Sequence, residues 1–434
     1  MNHTRAFGGL CLTLLPLLAA QADDAELNPV TVTGTRAPTD LSQAPLIIDI
    51  IDRDDAVLAT ASRVEDVLSR QPGLHVAGQG RRNGQTLSMR GFGSKGVLVR
   101  LDGVRQDIST GHIGNFFLDP GLIQEVQIAR GALSSLYGSL TAFGRRDTAN
   151  GQVDGLFSIG RSESGDIRRA GGDEAEEDAT LNSLLLKAGW EPSDDQRLFM
   201  SWQHYDEDAT QPANPQQLST DASNPLRDRD VESNNVQLGH RWQPNAATEV
   251  TSQLTFSQQD IDEPQANRTL ERVGLQSDGF HTMDHGWLSQ TLVFGAELEQ
   301  ARQRPDGEAN GFPKADIDTQ AAYLDTTLTA GSYLADGGTG QFDVDLGARY
   351  DRYDASGQND ADSVHDQVSP RFRLAWRPDD ALMLFSGYAE AFRAPSLSEL
   401  YANERHFAGF CAGPAFCTPD NYWIPNPNLS PESS

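Results

Sequence analysis

From about residue 139 onward, apolar and polar positions alternate in segments of roughly 9–15 residues, separated by acidic, Asn-rich or Gly-rich turns. The clearest segment runs from Phe342 to Tyr350. Phe342, Val344, Leu346, Ala348 and Tyr350 fall on one face, and Asp343, Asp345, Gly347 and Arg349 on the other. Phe372, Leu374 and Trp376 alternate with Arg371, Arg373 and Arg377, and Val236, Leu238 and Trp242 with Asn235, Gln237 and Arg241. Leu292, Phe294, Ala296 and Leu298 repeat the pattern, as do Val250, Leu254 and Phe256. A period of two predicts strands, about a dozen in all. Charges on one face suit a wet lumen, and apolar residues on the other suit lipid. Trp and Tyr near the segment ends fit an interfacial girdle. A soluble β-sandwich alternates in the same way, so the period leaves both readings open.

Residues 46–139 have a different texture, that of a compact mixed unit. Leu46 to Ile51 reads as a short strand, and Arg63 to Arg70 as a short amphipathic helix stopped by Pro72-Gly73. Leu87–Gly91, Val97–Asp102 and Val126–Arg130 read as strands joined by Gly-rich turns. Before them, residues 23–45 form a polar leader broken by Pro29, Pro38 and Pro45. Within it Val30, Thr31, Val32 and Thr33 make a β-prone patch suited to strand addition on a partner's sheet edge.

The first 22 residues read as a secretory signal. Arg5 supplies the positive end, Ala6–Ala20 the apolar stretch, and Ala20-Gln21-Ala22 the cleavage site. The signal favours an exported barrel over a soluble sandwich. Beyond residue 20 no apolar run is long enough for a spanning helix. The mean hydropathy of −0.49 excludes a polytopic helical protein but not a barrel with a polar lumen. A formal charge of −28, from 62 acidic against 34 basic side chains, argues against a nucleic-acid partner. Cys411 and Cys417 lie six apart in a Gly- and Pro-rich loop, and in an oxidising compartment they are expected to form a disulfide. Two thiols alone make a poor metal site. No nucleophile sits beside a base in a recognisable context, so an enzyme is not expected.

Three stretches resemble one family, the TonB-dependent outer-membrane receptors of Gram-negative bacteria. Val30–Arg36 resembles the leader motif, or TonB box, that pairs with the energy-coupling protein TonB. Met89-Arg90-Gly91-Phe92-Gly93 followed by Val97–Gln106 resembles the core of the plug. Ile128-Ala129-Arg130-Gly131 with Leu136-Tyr137-Gly138-Ser139 resembles the plug's later signature. The resemblance implies an all-β transmembrane barrel with an N-terminal α+β plug. It divides the chain into a signal peptide (1–22), a periplasmic leader (23–45), a plug (46–139) and a barrel (140–434). Plugged barrels of this kind have about 22 strands. Leu140–Asp147 already reads as a wall strand, and the chain ends just after Asn426-Pro427-Asn428-Leu429. The barrel is therefore expected to be incomplete.

A finer resemblance is to the haem and haemoprotein receptors of that family. Phe392-Arg393-Ala394-Pro395 is similar to their FRAP box, and Asn426–Leu429 to their NPNL box. Between the boxes lies His406, and Ser109-Thr110-Gly111-His112-Ile113 follows the plug core. The resemblance implies that His112 and His406 are axial ligands of the iron of a transported haem, with Tyr401, Phe407 and Phe410 lining the site. Its implied partners are TonB, a haem or haemoprotein donor, and outer-membrane lipid. Haem is here cargo and not a catalytic cofactor. Two alternatives stand beside this reading: a ferric-siderophore receptor, and a truncated barrel fragment without function.

Overall fold

A computed structural model of the chain describes residues 30–31, 39–40, 47–52, 55, 58, 61, 63–78, 85–89, 97–102, 104–105, 118–130, 135–139, 144–148, 151–168, 174–175, 177–212, 225–264, 267–306, 313–333, 337–357, 362–379, 382–403, 405–407, 419 and 421–433. The proposed signal peptide lies outside the described residues.

The dominant element is one antiparallel sheet of twelve strands, each bonded to its neighbour in chain order. The strands are β1 (Gly144–Thr148), β2 (Gly151–Ser164), β3 (Asp178–Ser193), β4 (Gln196–Pro212), β5 (Leu226–Asn245) and β6 (Thr248–Asp262). They continue as β7 (Arg268–Asp284), β8 (Leu288–Pro305), β9 (Ala315–Ser332), β10 (Gly340–Gly357), β11 (Asp362–Asp379) and β12 (Leu382–Ala389). β1 and β12 are its two edges. Turns as short as Asp194-Asp195 and Ala246-Ala247 join the strands at one end, and longer connections such as 213–225 and 306–314 at the other. In outer-membrane barrels the short turns face the periplasm and the long loops the exterior.

The register lines up side chains of one kind. Leu238 opposes Leu254, Leu254 opposes Leu275, and Leu275 opposes Leu298, a transverse row of leucines across four strands. All four stand exposed, at 47–53 % of their full surface. In β10, alternating with exposed Phe342 and Leu346, Asp343 and Asp345 are buried at 3 % and 5 % exposure. A water-soluble protein buries its leucines and exposes its aspartates. Here the order is inverted, as it must be when the outer face meets hydrocarbon and the inner face carries charge. The inner charges are paired: Arg373 with Asp345, Arg377 with Asp343, and Arg371 with Asp325 at 3.0 Å. At the short-turn end Trp190, Trp242 and Phe342 are exposed on the outer face. Trp376 tilts against Phe342 at 6.4 Å and donates its Nε1–H to the Thr339 carbonyl. These rings form the expected girdle on that rim.

The plug is a separate five-stranded sheet in the order Ile47–Asp52, Glu125–Arg130, Ser135–Ser139, Leu98–Leu101 and Val104–Arg105. The Ser135–Ser139 and Leu98–Leu101 strands run parallel, and the other pairings are antiparallel. A hairpin of Leu74–Gly78 with Gln85–Met89 and a short helix, α1 (Val64–Leu68), complete it. Val64, Val67 and Leu68 of α1 meet Ile51, Leu87, Met89, Val126 and Ile128 in one apolar core.

α1 also buries Glu65, and that burial pushes its carboxyl up to about 6. Arg63 opposes the shift, while Asp66 and Glu207 of the wall reinforce it. A carboxyl whose folded-state pKa is raised costs stability once it ionises, fully above about pH 6 and not at all below about pH 4.5. Glu65→Gln is therefore expected to stabilise the plug by about 2 kcal/mol at pH 8 and to leave it unchanged at pH 4. Amide hydrogen exchange of the plug core in the whole chain reads this directly.

The inverted faces give a second expectation. Leu275→Arg puts a charge on the lipid face at mid-strand and should cost about 2–4 kcal/mol of membrane-embedded stability. Urea titration of the protein in lipid vesicles measures it. A loss below about 0.5 kcal/mol would mean that this face does not meet hydrocarbon.

Candidate functional site

The plug meets the wall through polar side chains. Arg100, from the Leu98–Leu101 strand, donates to Gln276 of β7 at 3.1 Å and to Glu297 of β8 at 3.4 Å. Glu297 also accepts from Arg349 of β10 at 3.0 Å, so one wall carboxylate joins a plug guanidinium to a wall guanidinium. The next turn of the plug adds Asp102, whose φ of 49° is the one positive value at a non-glycine residue among those described. Asp tolerates this left-handed conformation better than most side chains. Asp102 pairs with Lys187 of β3 at 2.5 Å, and its carbonyl accepts from Gln237 of β5 at 3.0 Å. Asp119 caps the turn Pro120–Leu122 through the Gly121 N–H and accepts from Ser183 of β3 at 2.7 Å. An apolar contact of Leu122 with Leu156 and Leu185 lies beside it. These contacts are mostly polar and largely shielded, with side-chain exposures of 10 % and 17 % in the Arg100–Glu297 pair, and they hold the plug in register against the wall.

The second locus is the base of a long loop at the exterior end of β12. Ser396 opens the helix α2 (Leu397–Tyr401) with a reciprocal capping box to Glu399. Leu397, Leu400 and Tyr401 are buried against Ala315 of β9 and Tyr353 and Ala355 of β10, with Ala394 and Leu429 packed alongside. The Tyr401 hydroxyl donates to the Ala355 carbonyl at 2.7 Å, and the Tyr353 hydroxyl to the Pro395 carbonyl at 3.1 Å. Burial pushes the Tyr401 phenol up to about 12, helped by Asp362 and Asp354. The Phe392-Arg393-Ala394-Pro395 and Asn426-Pro427-Asn428-Leu429 boxes thus belong to one folded base seated on the wall. Tyr401 serves that base, where its ring and hydroxyl are fully engaged.

Beyond α2, Arg405–Phe407 pairs with Asn421–Tyr422 in a short antiparallel hairpin. The His406 backbone lies in this hairpin, and its side chain lies outside the described residues. His112, Phe410, Cys411 and Cys417 also lie outside them, as do the Phe407 side chain, Val32 and Thr33. The backbone of Val30 and Thr31 pairs with Thr39 and Asp40. Among the described residues no cluster of three His, Cys, Asp or Glu side chains forms a metal site.

Residues 40–144 match the TonB-dependent receptor plug domain, and residues 172–434 match the β-barrel of TonB-dependent receptor-like proteins. The chain belongs to the TonB-dependent receptor family. It is an outer-membrane protein of a Gram-negative bacterium, in a family of transporters and not of enzymes. It is similar to a hemin receptor of Yersinia enterocolitica, with 30 % identity covering 98 % of this chain and 68 % of that relative. A hemin receptor of Yersinia pestis is 31 % identical over 94 % of this chain and 66 % of its own length. The chain thus spans about two thirds of the curated relatives it matches. The fold is similar to the hemophore receptor HasR of Serratia marcescens, solved with its hemophore HasA and heme, at a TM-score of 0.71 and 17 % identity. That match covers 90 % of this chain and 68 % of HasR. The siderophore receptor PirA of Acinetobacter baumannii aligns at a TM-score of 0.65 and 15 % identity, over 89 % of this chain and 66 % of PirA. Both structural likenesses bear on the fold alone.

In this receptor the plug contacts can be tested by one substitution. Glu297→Ala leaves Arg100 and Arg349 facing each other without their shared carboxylate. Losing hydrogen bonds to a charged group of this kind costs about 1.5–3 kcal/mol. The plug should then release at lower urea concentration while the wall keeps its heat-resistant gel mobility. A disulfide engineered between plug and wall, formed at unchanged rate during urea titration, would show that Glu297 does not hold the plug.

Proposed function

We propose that this receptor takes up haem, or haem drawn from a haemoprotein, with His112 of the plug and His406 of the exterior loop as the iron's two axial ligands. The observation that carries the reading is the similarity to hemin receptors along nearly the whole chain, which runs through both histidine contexts. It is supported by the folded base that Phe392–Pro395 and Asn426–Leu429 build beneath the hairpin containing His406. Ferric haem is a flat apolar disc with a Lewis-acidic iron, for which imidazole is a natural ligand. One ligand on the plug and one on a loop would make cargo occupancy sensitive to the plug's position. Val30, Thr31, Val32 and Thr33 would then receive the energy-coupling protein TonB by strand addition. Work done there would be spent on the few polar contacts at Arg100, Asp102 and Asp119. Closure of a loop by Cys411 and Cys417 belongs to the same reading, as a staple near His406.

The test is the visible spectrum of the whole receptor with haem. The wild type should give a low-spin, bis-imidazole spectrum. His112→Ala and His406→Ala should each weaken binding and shift the iron toward high spin, and the double variant should retain only apolar partition. Acidification should weaken the wild-type complex, because an imidazole must be free of its proton to ligate iron and protons compete for that nitrogen. An unchanged spectrum and affinity in the double variant would remove the haem reading in favour of another iron chelate.

A further inference from the structure

Arg393 sits where two distant parts of the chain meet. Phe392 pairs with Ser433 and Arg393 with Glu432 in a two-residue antiparallel ladder. The Arg393 side chain repeats the crossing: Nε donates to one Glu432 oxygen at 2.9 Å and Nη2 pairs with the other at 2.8 Å. Its third nitrogen, Nη1, donates to Glu399 Oε2 at 3.1 Å. That same oxygen accepts from the Ser396 N–H at 2.8 Å and the Ser396 hydroxyl at 2.9 Å. One guanidinium therefore grips the head of α2 and the returning arm 39 residues away in sequence.

These contacts divide the work of holding the loop. The outgoing arm is fixed to the wall by Leu397, Leu400 and Tyr401, which are buried. The returning arm is far less covered: Glu432 is exposed at 70 %, Ile424 at 85 % and Tyr422 at 56 %. Its ties include Leu429 on the apolar cluster, the Asn421–Tyr422 pairing, and the Arg393 fork. Removing a fork that is partly exposed leaves the wall's own strand bonds and buried core untouched, so its effect should be local.

We propose that Arg393 is a positioning residue that closes the base of the 394–431 loop and thereby orders the hairpin containing His406. Its consequence for cargo rests on the haem reading above; its consequence for the loop does not. Arginine is required because three donors in a rigid plane reach two carboxylates at once, one of them bidentately. A lysine has a single charged nitrogen and cannot hold both arms.

The experiment uses the whole chain in detergent micelles and compares Arg393→Ala, Arg393→Lys and Glu432→Gln with the wild type. Arg161→Ala, which breaks an exposed pair with Glu163, serves as control. Limited proteolysis with mass-spectrometric mapping reads cleavage between residues 403 and 431. Arg393→Ala and Arg393→Lys should both raise it roughly three- to tenfold, Glu432→Gln less, and the control not at all. Cleavage elsewhere and heat-resistant gel mobility should stay at wild-type level. Haem affinity should fall by a similar factor in the same order, with the Soret position of the bound complex unchanged because the iron ligands are intact. Unchanged cleavage in Arg393→Ala, or full restoration by lysine, overturns the proposal. So does cleavage spread over the whole chain, which would make Arg393 a general stabiliser. A shifted Soret band in the variants would make it a direct contact of the cargo, equally against a positioning role. If the wild type gives no haem Soret band, the haem reading fails and the cleavage arm decides the clamp by itself.

Discussion

Everything in this molecule follows from a wall that must satisfy its backbone without water. In hydrocarbon an unpaired N–H or C=O costs several kcal/mol, about as much as many side-chain contacts can return. Between its edges β1 and β12, the sheet meets that demand by bonding each strand to its neighbour. Period-two geometry then assigns each residue to lipid or lumen with no intermediate choice. Leu238, Leu254, Leu275 and Leu298 can form a row only because their neighbours in sequence all turn inward. Inside, the same necessity places Asp343, Asp345, Arg373 and Arg377 close enough to neutralise one another.

A lumen lined by charge dictates how the plug is held. An apolar plug surface would find little to bury there, so the plug keeps its apolar side chains in its own core and offers Arg100, Asp102 and Asp119 to the wall. Such contacts exchange readily with water, because each partner is well solvated once apart. The loop base is built on the opposite principle. Leu397, Leu400 and Tyr401 are buried on β9 and β10, and the Tyr401 hydroxyl is spent on a backbone carbonyl. The plug is thus held to the wall mainly by polar contacts, and the loop base mainly by apolar burial.

Much of this was legible from the pattern of residues, and the exceptions have identifiable causes. The alternation from Phe342 to Tyr350 marks β10, and about a dozen such segments agree with the twelve strands of the sheet. The helix expected at Arg63–Arg70 is Val64–Leu68, shortened because Ser69 already ends it ahead of Pro72-Gly73. The strand Leu74–Gly78 escapes a reading of the sequence although Leu74 and Val76 alternate with exposed His75, because it is short, lies directly after Pro72-Gly73 and is held by its pairing with Gln85–Met89. α2 had a signal, the Ser396–Glu399 capping box, hidden beneath the more conspicuous Phe392–Pro395 motif. Tyr401 looks like a cargo-lining aromatic until α2 is known to turn that ring onto β10. The Arg393–Glu432 and Arg100–Glu297 pairs join residues with no local periodicity between them, so only the folded chain reveals them.

The different footing of the two loci bears on how a receptor of this design could couple binding to release. A ligand gripped by two bodies gains affinity from both only while their spacing is fixed, and displacing either body forfeits nearly the whole gain. The loop base is packed on β9 and β10 through Leu397, Leu400 and Tyr401 and held by the Tyr401–Ala355 and Tyr353–Pro395 hydrogen bonds, so moving it exposes a buried apolar cluster. Moving the plug breaks contacts that include Arg100 with Glu297, Asp102 with Lys187, Asp119 with Ser183 and Leu122 with Leu156 and Leu185. If cargo is held between plug and loop as proposed, force applied at the leader acts on the plug and separates the two halves of that grip.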